Sequence, residues 1–582
     1  MRSVDHISAG VRPDASAEQR IHLPNSRVKT SLLWVAIAAA SLGVSVPAAA
    51  QEAAADRIFE EVVVTARQRE EKAQTVPIPI TALSSEQLVT RNLMEIRDLE
   101  KLSPNTSIDY SSVNGNAIQV FIRGIGQTNW SGTQDPKIGM YVDGVYLSRP
   151  QGALVDFNDV ERVEVLRGPQ GTLFGRNTTA GLIHIINNRP STDGFESDIT
   201  LGAGNDGQSN YGLVVNAPLG ENWAARLSLS GQQADGVITN SVTGKDRGNE
   251  DSTNTRFALR YQGEKLDALL TYSNFEADER GPLGSCEWHA TDDPFVALGR
   301  GGLLSLATIF GTFNSHRTNC EATTRDVSID TTNDENIRAD VDNVVLNLSY
   351  DFGPMTFDSI TSKRDIEHFN GTWGWVMGNG PGSNMLEILN NYGDTEAMSQ
   401  EIRLSGVSDS VEWVVGAYWF EEETYESLDV PLFRDVMAPD PAVWPFFYAP
   451  DGAGGTLGGA ALGAQLYGSR SQAYDVINEN QAFFAEVTFS LNEQWDLTVG
   501  ARRTSDDRDF TRIQTLFNGQ PDPFYFCPGM PAVELAPGFV VAGSDRCRQT
   551  VSYSKTTPRI IASYQVSDDV MFYGSYSLGY SS

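Results

Sequence analysis

The sequence is poor in the side chains that build metal centres and nucleophilic active sites, with six histidines and four cysteines in 582 residues. It is also short of basic charge: 43 Lys and Arg stand against 75 Asp and Glu, a net charge of −32. That balance excludes a nucleic-acid partner, which needs a basic footprint to displace counterions from phosphates. Long apolar runs are scarce too. The one that exists, Ser31 to Val46, follows Arg27 and Lys29 and runs into Pro47-Ala48-Ala49-Ala50. At about 15 residues it is shorter than the roughly 20 that span a bilayer as a helix. A basic flank and a small-residue exit make residues 1–50 a cleavable export signal, with the mature chain beginning near Gln51.

Export without a helical anchor leaves a soluble exported protein or an outer-membrane β-barrel. The cysteines fall into two close pairs, Cys286 with Cys320 and Cys527 with Cys547, in polar, irregular stretches. Disulfides are the expected state in an oxidising compartment. His289 and His316 flank the first pair, but C-x-x-H spacing alone is a weak zinc signal, and no metal site is expected. No Ser/His/Asp or Cys/His arrangement stands out, so the chain does not read as an enzyme.

Residues 76–190 read as a small α+β domain. Ser84-Ser85-Glu86-Gln87-Leu88 begins a helix with an S-x-x-Q capping pattern, and Leu93, Ile96 and Leu99 extend an apolar stripe at helical spacing. Short strands are expected over 119–123, 139–146, 160–166 and 182–186, with Asp143-Gly144 as a hairpin turn. From 191 the texture changes to segments of about ten residues alternating apolar and polar, as barrel strands between lipid and a wet lumen must. Phe483, Ala485, Val487 and Phe489 oppose Phe484, Glu486 and Thr488; Trp495, Leu497 and Val499 oppose Asp496 and Thr498. Tight links such as Gly263-Glu264 contrast with long polar inserts at about 276–340, 422–478 and 505–548, the turn asymmetry of this class. A soluble β-sandwich is disfavoured by those inserts.

Two glycine patterns are misleading. Gly202 to Gly207 spells G-x-G-x-x-G but precedes a β-prone segment, so it reads as a hairpin turn, and Gly171 to Thr178 lacks the phosphate-binding Lys-Ser/Thr. Before the α+β domain, Glu60-Glu61-Val62-Val63-Val64-Thr65-Ala66 is either a free strand able to join another protein's sheet edge or the first strand of the domain.

Taken with Val76-Pro77-Ile78-Pro79-Ile80, Ile122-Arg123-Gly124, Gly139 to Tyr146 and Val160-Glu161-Arg162-Val163-Glu164-Val165-Leu166-Arg167-Gly168-Pro169-Gln170-Gly171, that segment resembles the TonB-dependent outer-membrane receptors. The resemblance implies a transmembrane antiparallel β-barrel of about 22 strands around an N-terminal α+β plug. It implies residues 51–75 as an N-terminal segment carrying a TonB box at 60–66 (Glu60, Glu61, Val62, Val63, Val64, Thr65, Ala66), residues 76–190 as the plug and 191–582 as a partial barrel. It also implies a lock in which plug residues Arg123 and Arg167 pair with barrel residues Glu401 and Glu486. The implied partners are TonB with its inner-membrane energising complex, outer-membrane lipid, and a scarce transported ligand, a ferric siderophore first. Oligosaccharide, cobalamin or haem uptake and a passive porin are the alternatives. No cofactor is expected, a ferric chelate being cargo. Trp444-Pro445-Phe446-Phe447-Tyr448 suits either stacking on a cargo ring or an interfacial girdle. The segments after 190 number about 13 to 15 strands and end at Leu578 to Ser582 without a terminal aromatic, so an incomplete barrel reading frame is expected.

Overall fold

A computed structural model describes residues 62–69, 71–110, 117–127, 132, 134–151, 157–239, 245–280, 336–376, 384–430, 470–516, 532–536, 539–542, 546–567 and 570–581. The export signal, Glu60, Glu61, Cys286, Cys320, Cys527, His289, His316 and the 444–448 aromatics lie outside the described residues. Among those described, no helix is long and apolar enough to cross a membrane.

The described residues open with a two-stranded hairpin, β1 (Val63–Val64) and β2 (Glu71–Lys72). The plug follows. β3 (Ile80–Ser84) leads into α1 (Ser85–Thr90), whose N-cap Ser84 and Gln87 form the expected reciprocal capping box. The helix is shorter than the apolar stripe predicts. Asn92 takes φ of 52°, and a 3-10 turn over Ile96–Lys101 carries the stripe on. Leu88, Leu93, Ile96 and Leu99 are nonetheless all buried in the plug core, where each contributes about 1.5–3 kcal/mol.

β4 (Thr106–Tyr110), β5 (Ile118–Ile122) and β6 (Ile125–Gly126) form a small antiparallel sheet. β7 (Gly139–Val142), β8 (Val145–Tyr146), β9 (Val160–Arg167) and β10 (Gly181–Asn187) join β3 in a five-stranded sheet of order β3-β9-β10-β7-β8. Asp143 and Gly144 make the expected turn between β7 and β8, both at positive φ, 50° and 86°. That pairing matches the right-handed strand twist. A Gly144→Ala variant is expected to lose about 1 kcal/mol from the left-handed backbone, read as a lowered thermal midpoint of the plug.

Beyond Pro190 the chain forms one 13-stranded antiparallel sheet. It comprises β11 (Glu196–Ala203), β12 (Ser209–Pro218), β13 (Trp223–Ala234), β16 (Glu250–Gln262), β17 (Leu266–Glu279), β18 (Ile337–Asp351), β19 (Met355–Val376), β20 (Asn384–Val407), β21 (Val411–Val430), β22 (Arg470–Ser490), β23 (Trp495–Leu516), β26 (Arg546–Ser567) and β27 (Val570–Ser577). Two satellite hairpins, β14 (Ile238–Thr239) with β15 (Asp246–Arg247) and β24 (Ala532–Ala536) with β25 (Phe539–Ala542), decorate it. The Gly202–Gly207 pattern is the β11–β12 turn, as expected.

Alternation sets the two faces. Phe483 is 70% exposed on the outward face while Phe484 is 4% exposed on the inward one, and Glu486, Thr488, Thr498 and Arg502 are also buried inward. Aromatic pairs Trp223–Tyr261, Tyr350–Phe352 and Trp495–Tyr564, with centroids 4.7–5.1 Å apart, cluster at the short-turn end, as an interfacial girdle does. The strands run further than the pattern predicts: β19 to β23 and β26 have 20 to 24 residues, and β21, β22, β23 and β26 extend into the segments expected to be loops. Only about 10 residues cross a bilayer. The extensions place polar residues on both faces, such as Glu421, Glu422, Asn478 and Glu479 on β21 and β22, and these interrupt the apolar alternation. Cys547, at the start of β26, is buried and disulfide-bonded.

Candidate functional site

The N-terminal strand is not free. Val63 pairs with Lys72 and Val64 with Glu71. Val64 and Ala66 have no exposed surface and pack with plug residues Tyr141, Leu166 and Leu182 and with barrel residues Ala397, Val414, Phe420 and Phe484. Of the two sequence readings, a strand folded into the domain is the one observed, because a Val-Val-Val-Thr-Ala run buries more apolar surface here than it could in water.

Polar contacts fix its end. The Thr65 backbone N–H donates to Glu164 Oε1 at 2.7 Å and its hydroxyl to the same oxygen at 3.2 Å. Glu164 lies on β9 with no exposed surface, and Arg162 Nε donates to Oε1 at 2.9 Å. His184 on β10 accepts from Gly144 N–H through Nε2 at 3.1 Å, which leaves the proton on Nδ1, 3.9 Å from Glu164 Oε2. Burial pushes the His184 imidazole below its usual range, against the pull of Glu164 and Asp143, so it is neutral.

Beyond the strand, Arg67 reaches Thr488 and Thr498 of the barrel wall at 3.4 and 3.3 Å and also binds Glu71. Burial works against ionising Glu71, yet Arg67 and Arg69 hold its carboxyl below the usual carboxylate range. Arg69 pairs with Glu412 at 2.6 Å, and Gln68 accepts from Arg403. Residues 62–72 are therefore tied to plug and barrel alike.

The expected arginine–glutamate lock is not formed. Arg123 is exposed in the β5–β6 turn at φ of 53°. Arg167 donates to Thr81 Oγ1 at 2.5 Å and Ser103 Oγ at 3.1 Å, inside the plug. Burial and the neighbouring Arg123 lower its pKa. Glu401 instead pairs with Arg403 at 3.3 Å and Glu486 with Arg559 at 3.6 Å. Both glutamates do sit at the end of the barrel that receives the N-terminal hairpin, but the arginines facing them come from that hairpin and from the barrel wall.

The plug is held by residues that sequence spacing did not single out. Arg149 pairs with Glu422, Arg176 with Asp506 at 3.2 Å, and Asp135 with Arg508 at 2.8 Å. Asp159 takes a bidentate contact from Arg226, at 2.7 and 2.9 Å. Arg502 lies over the Tyr418 and Phe484 rings at 5.4 and 5.3 Å; across the wall the Thr172 hydroxyl donates to Thr557 O at 3.1 Å and the Thr557 hydroxyl to Gly171 O at 3.0 Å. One signal was available for the buried carboxylate: Arg162, Glu164 and Leu166 share a strand face, and an i,i+2 charge pair beside leucine marks a partnered, buried position.

Two family descriptions match the chain: the TonB-dependent receptor plug domain over residues 72–182 and the TonB-dependent receptor-like β-barrel over residues 288–582. A vitamin B12 transporter, BtuB, of Vibrio vulnificus is 27% identical over 237 residues, a stretch covering 40% of this chain and 35% of the transporter. Among solved structures, the ferric yersiniabactin uptake receptor FyuA from Yersinia pestis has a TM-score of 0.62 at 17% identity, covering 86% of this chain and 64% of that one. The ferric-catecholate import receptor Fiu from E. coli K12 has a TM-score of 0.60 at 15% identity, covering 88% and 71%. The chain thus spans about a third of the curated relative's length in matched sequence and about two thirds of the receptors it resembles in fold. Since the barrel description alone extends over just more than half of the sequence, and the plug description covers the domain seated against that sheet, the chain belongs to the TonB-dependent receptor family of outer-membrane proteins.

Proposed function

We propose that the chain serves in the outer membrane as an energised importer of a ferric siderophore, drawing on TonB and its inner-membrane complex. The observation that carries this reading is the buried N-terminal strand. A static stopper has no use for a strand whose backbone is capped by a plug carboxylate and whose flank is pinned to the barrel by Arg67. A strand that must be exposed before it can pair with a partner sheet edge has every use for such a clasp. The fold neighbours named as ferric yersiniabactin and ferric-catecholate receptors support iron as the cargo.

The vitamin B12 transporters among the sequence relatives favour cobalamin as the second reading. Both are tested together by uptake of labelled ferric siderophores and labelled cobalamin into cells expressing the locus, with and without residues 60–66. Deletion is expected to abolish uptake of the true cargo while the protein stays in the outer membrane. Uptake indifferent to the deletion would instead make the chain a passive pore.

A further inference from the structure

Two cavities of mixed polar and apolar lining lie between the plug and one side of the barrel wall. The upper, about 130 Å³, is lined by Val145, Leu147, Asn158, Ser230, Phe275 and Asn343 among others. The lower, about 520 Å³, is lined by Thr65, Arg162, His184, Asp267, Asp358 and Ser405 among others. Asp143 lines both. The β7–β8 turn that carries it stands between them, and a Cβ on Gly144 would meet Ile360 of the wall at 2.9 Å. Several contacts hold the turn closed: Asp143 N–H donates to Ile185 O at 2.9 Å, its carboxylate accepts from Asn187 N and Nδ2 at 2.8 and 2.9 Å, Arg256 stands 3.8 Å from Asp143 Oδ2, and Gly144 N–H donates to His184.

His184 connects that turn to the N-terminal strand. Its Nδ1 and Glu164 Oε2 are both buried and without a hydrogen bond, although they face each other at 3.9 Å. Two buried polar atoms left in that state are costly, and here each is the other's natural partner. While Thr65 is in place, it supplies two of the three hydrogen bonds to the opposite carboxylate oxygen. Removing Thr65 leaves a fully buried carboxylate with Arg162 alone, and the nearest donor able to compensate is His184 Nδ1. Turning the ring toward Glu164 breaks the Nε2 contact with Gly144.

We propose that Glu164 and His184 form a relay through which withdrawal of Thr65 releases the Asp143–Gly144 turn and joins the two cavities into one passage for a hydrophilic, hydrogen-bonding solute. The passage follows the wall of β17 to β19. The ties from Arg149, Arg176, Asp135 and Thr172 hold the plug to β21–β26 on the other side, so the plug need not leave the barrel. Glu164 and His184 are positioning residues, and the inference rests on the energised-import reading above.

Hydrogen exchange on the full chain in outer-membrane vesicles tests it without any cargo, so failure of the relay is distinct from failure to find a transported ligand. A Thr65→Pro variant, which removes both donors and leaves the carboxylate, is expected to exchange roughly tenfold faster at both 62–66 and 139–147, with the plug strand 118–122 unchanged. A His184→Phe variant keeps the Thr65–Glu164 bonds and is expected to accelerate 139–147 alone. A Ser230→Cys reporter in the upper cavity should react several-fold faster with a charged thiol reagent when combined with Thr65→Pro. Release of 62–66 in Thr65→Pro with 139–147 still protected would overturn the relay, as would wild-type protection of 139–147 in His184→Phe. Acceleration that spreads to 118–122 in Thr65→Pro marks plug unfolding, and the decision then passes to His184→Phe.

Discussion

Replacing Arg149 with alanine is expected to weaken plug seating by about 3–5 kcal/mol, the cost of stranding a buried charge. Arg149 comes from the segment after β8, and its guanidinium meets Glu422 of β21 with side-chain exposures of 3% and 1%. Asn478 Nδ2 also donates to Glu422 Oε1, at 2.8 Å, and Gly132 N–H to the adjacent Glu426 at 2.8 Å. Without Arg149, Glu422 keeps an amide where it had a cation, in a place water does not reach. Arg149→Met combined with Glu422→Leu removes both charges and is expected to recover most of the loss. Guanidinium titrations following protection of the plug from protease give the comparison. A single variant with a wild-type midpoint would show that the plug seat does not depend on this pair.

The second large effect is expected at Gly175. Its φ is 86°, and an added Cβ would lie 2.8 Å from both the Arg502 guanidinium carbon and Nη2. Arg502 cannot step aside easily: it is among the largest fully buried side chains, lies over two barrel aromatics, and donates to Thr504 at 3.3 Å. Gly175→Ala therefore combines left-handed backbone strain of about 1–2 kcal/mol with a displaced cation whose ring contacts are worth about 2 kcal/mol when desolvated. Arg502→Ala loses the same ring contacts and leaves a void. Because one change relieves the clash made by the other, the double variant should cost clearly less than the sum of the singles. Strict additivity in thermal midpoints would mean that the two residues do not share the contact.

The barrel face pattern was legible in the chain because its period is two and its solvent changes from face to face. Phe483 against Phe484, and Val499 against Thr498, fall where alternation puts them. The Asp143-Gly144 turn and the Ser84–Gln87 capping box were legible for the same local reason, since backbone sterics and a side-chain-to-backbone bond act within four residues. Strand length beyond the expected strands was not legible, because there polar residues stand on both faces, as Glu421 outward and Glu422 buried inward do on β21, and the apolar alternation is interrupted.

Membership of the family was carried by short motifs in the plug, yet the same motifs misdirected the search for its contacts. Arg123 and Arg167 are in the motifs, but a residue's partners depend on where its strand docks. Arg167 turns inward to Thr81 and Ser103 while Arg149, Arg176 and Asp135 reach the wall. The sequence by itself determined the two kinds of architecture, the alternating wall and the turn chemistry, because those follow from interactions between residues close along the chain. Only the tertiary structure decided that the 62–66 strand is buried and that Glu164, 99 positions away from Thr65, holds it. A buried carboxylate takes whatever donors the fold brings within about 3 Å, and no local pattern records which those will be.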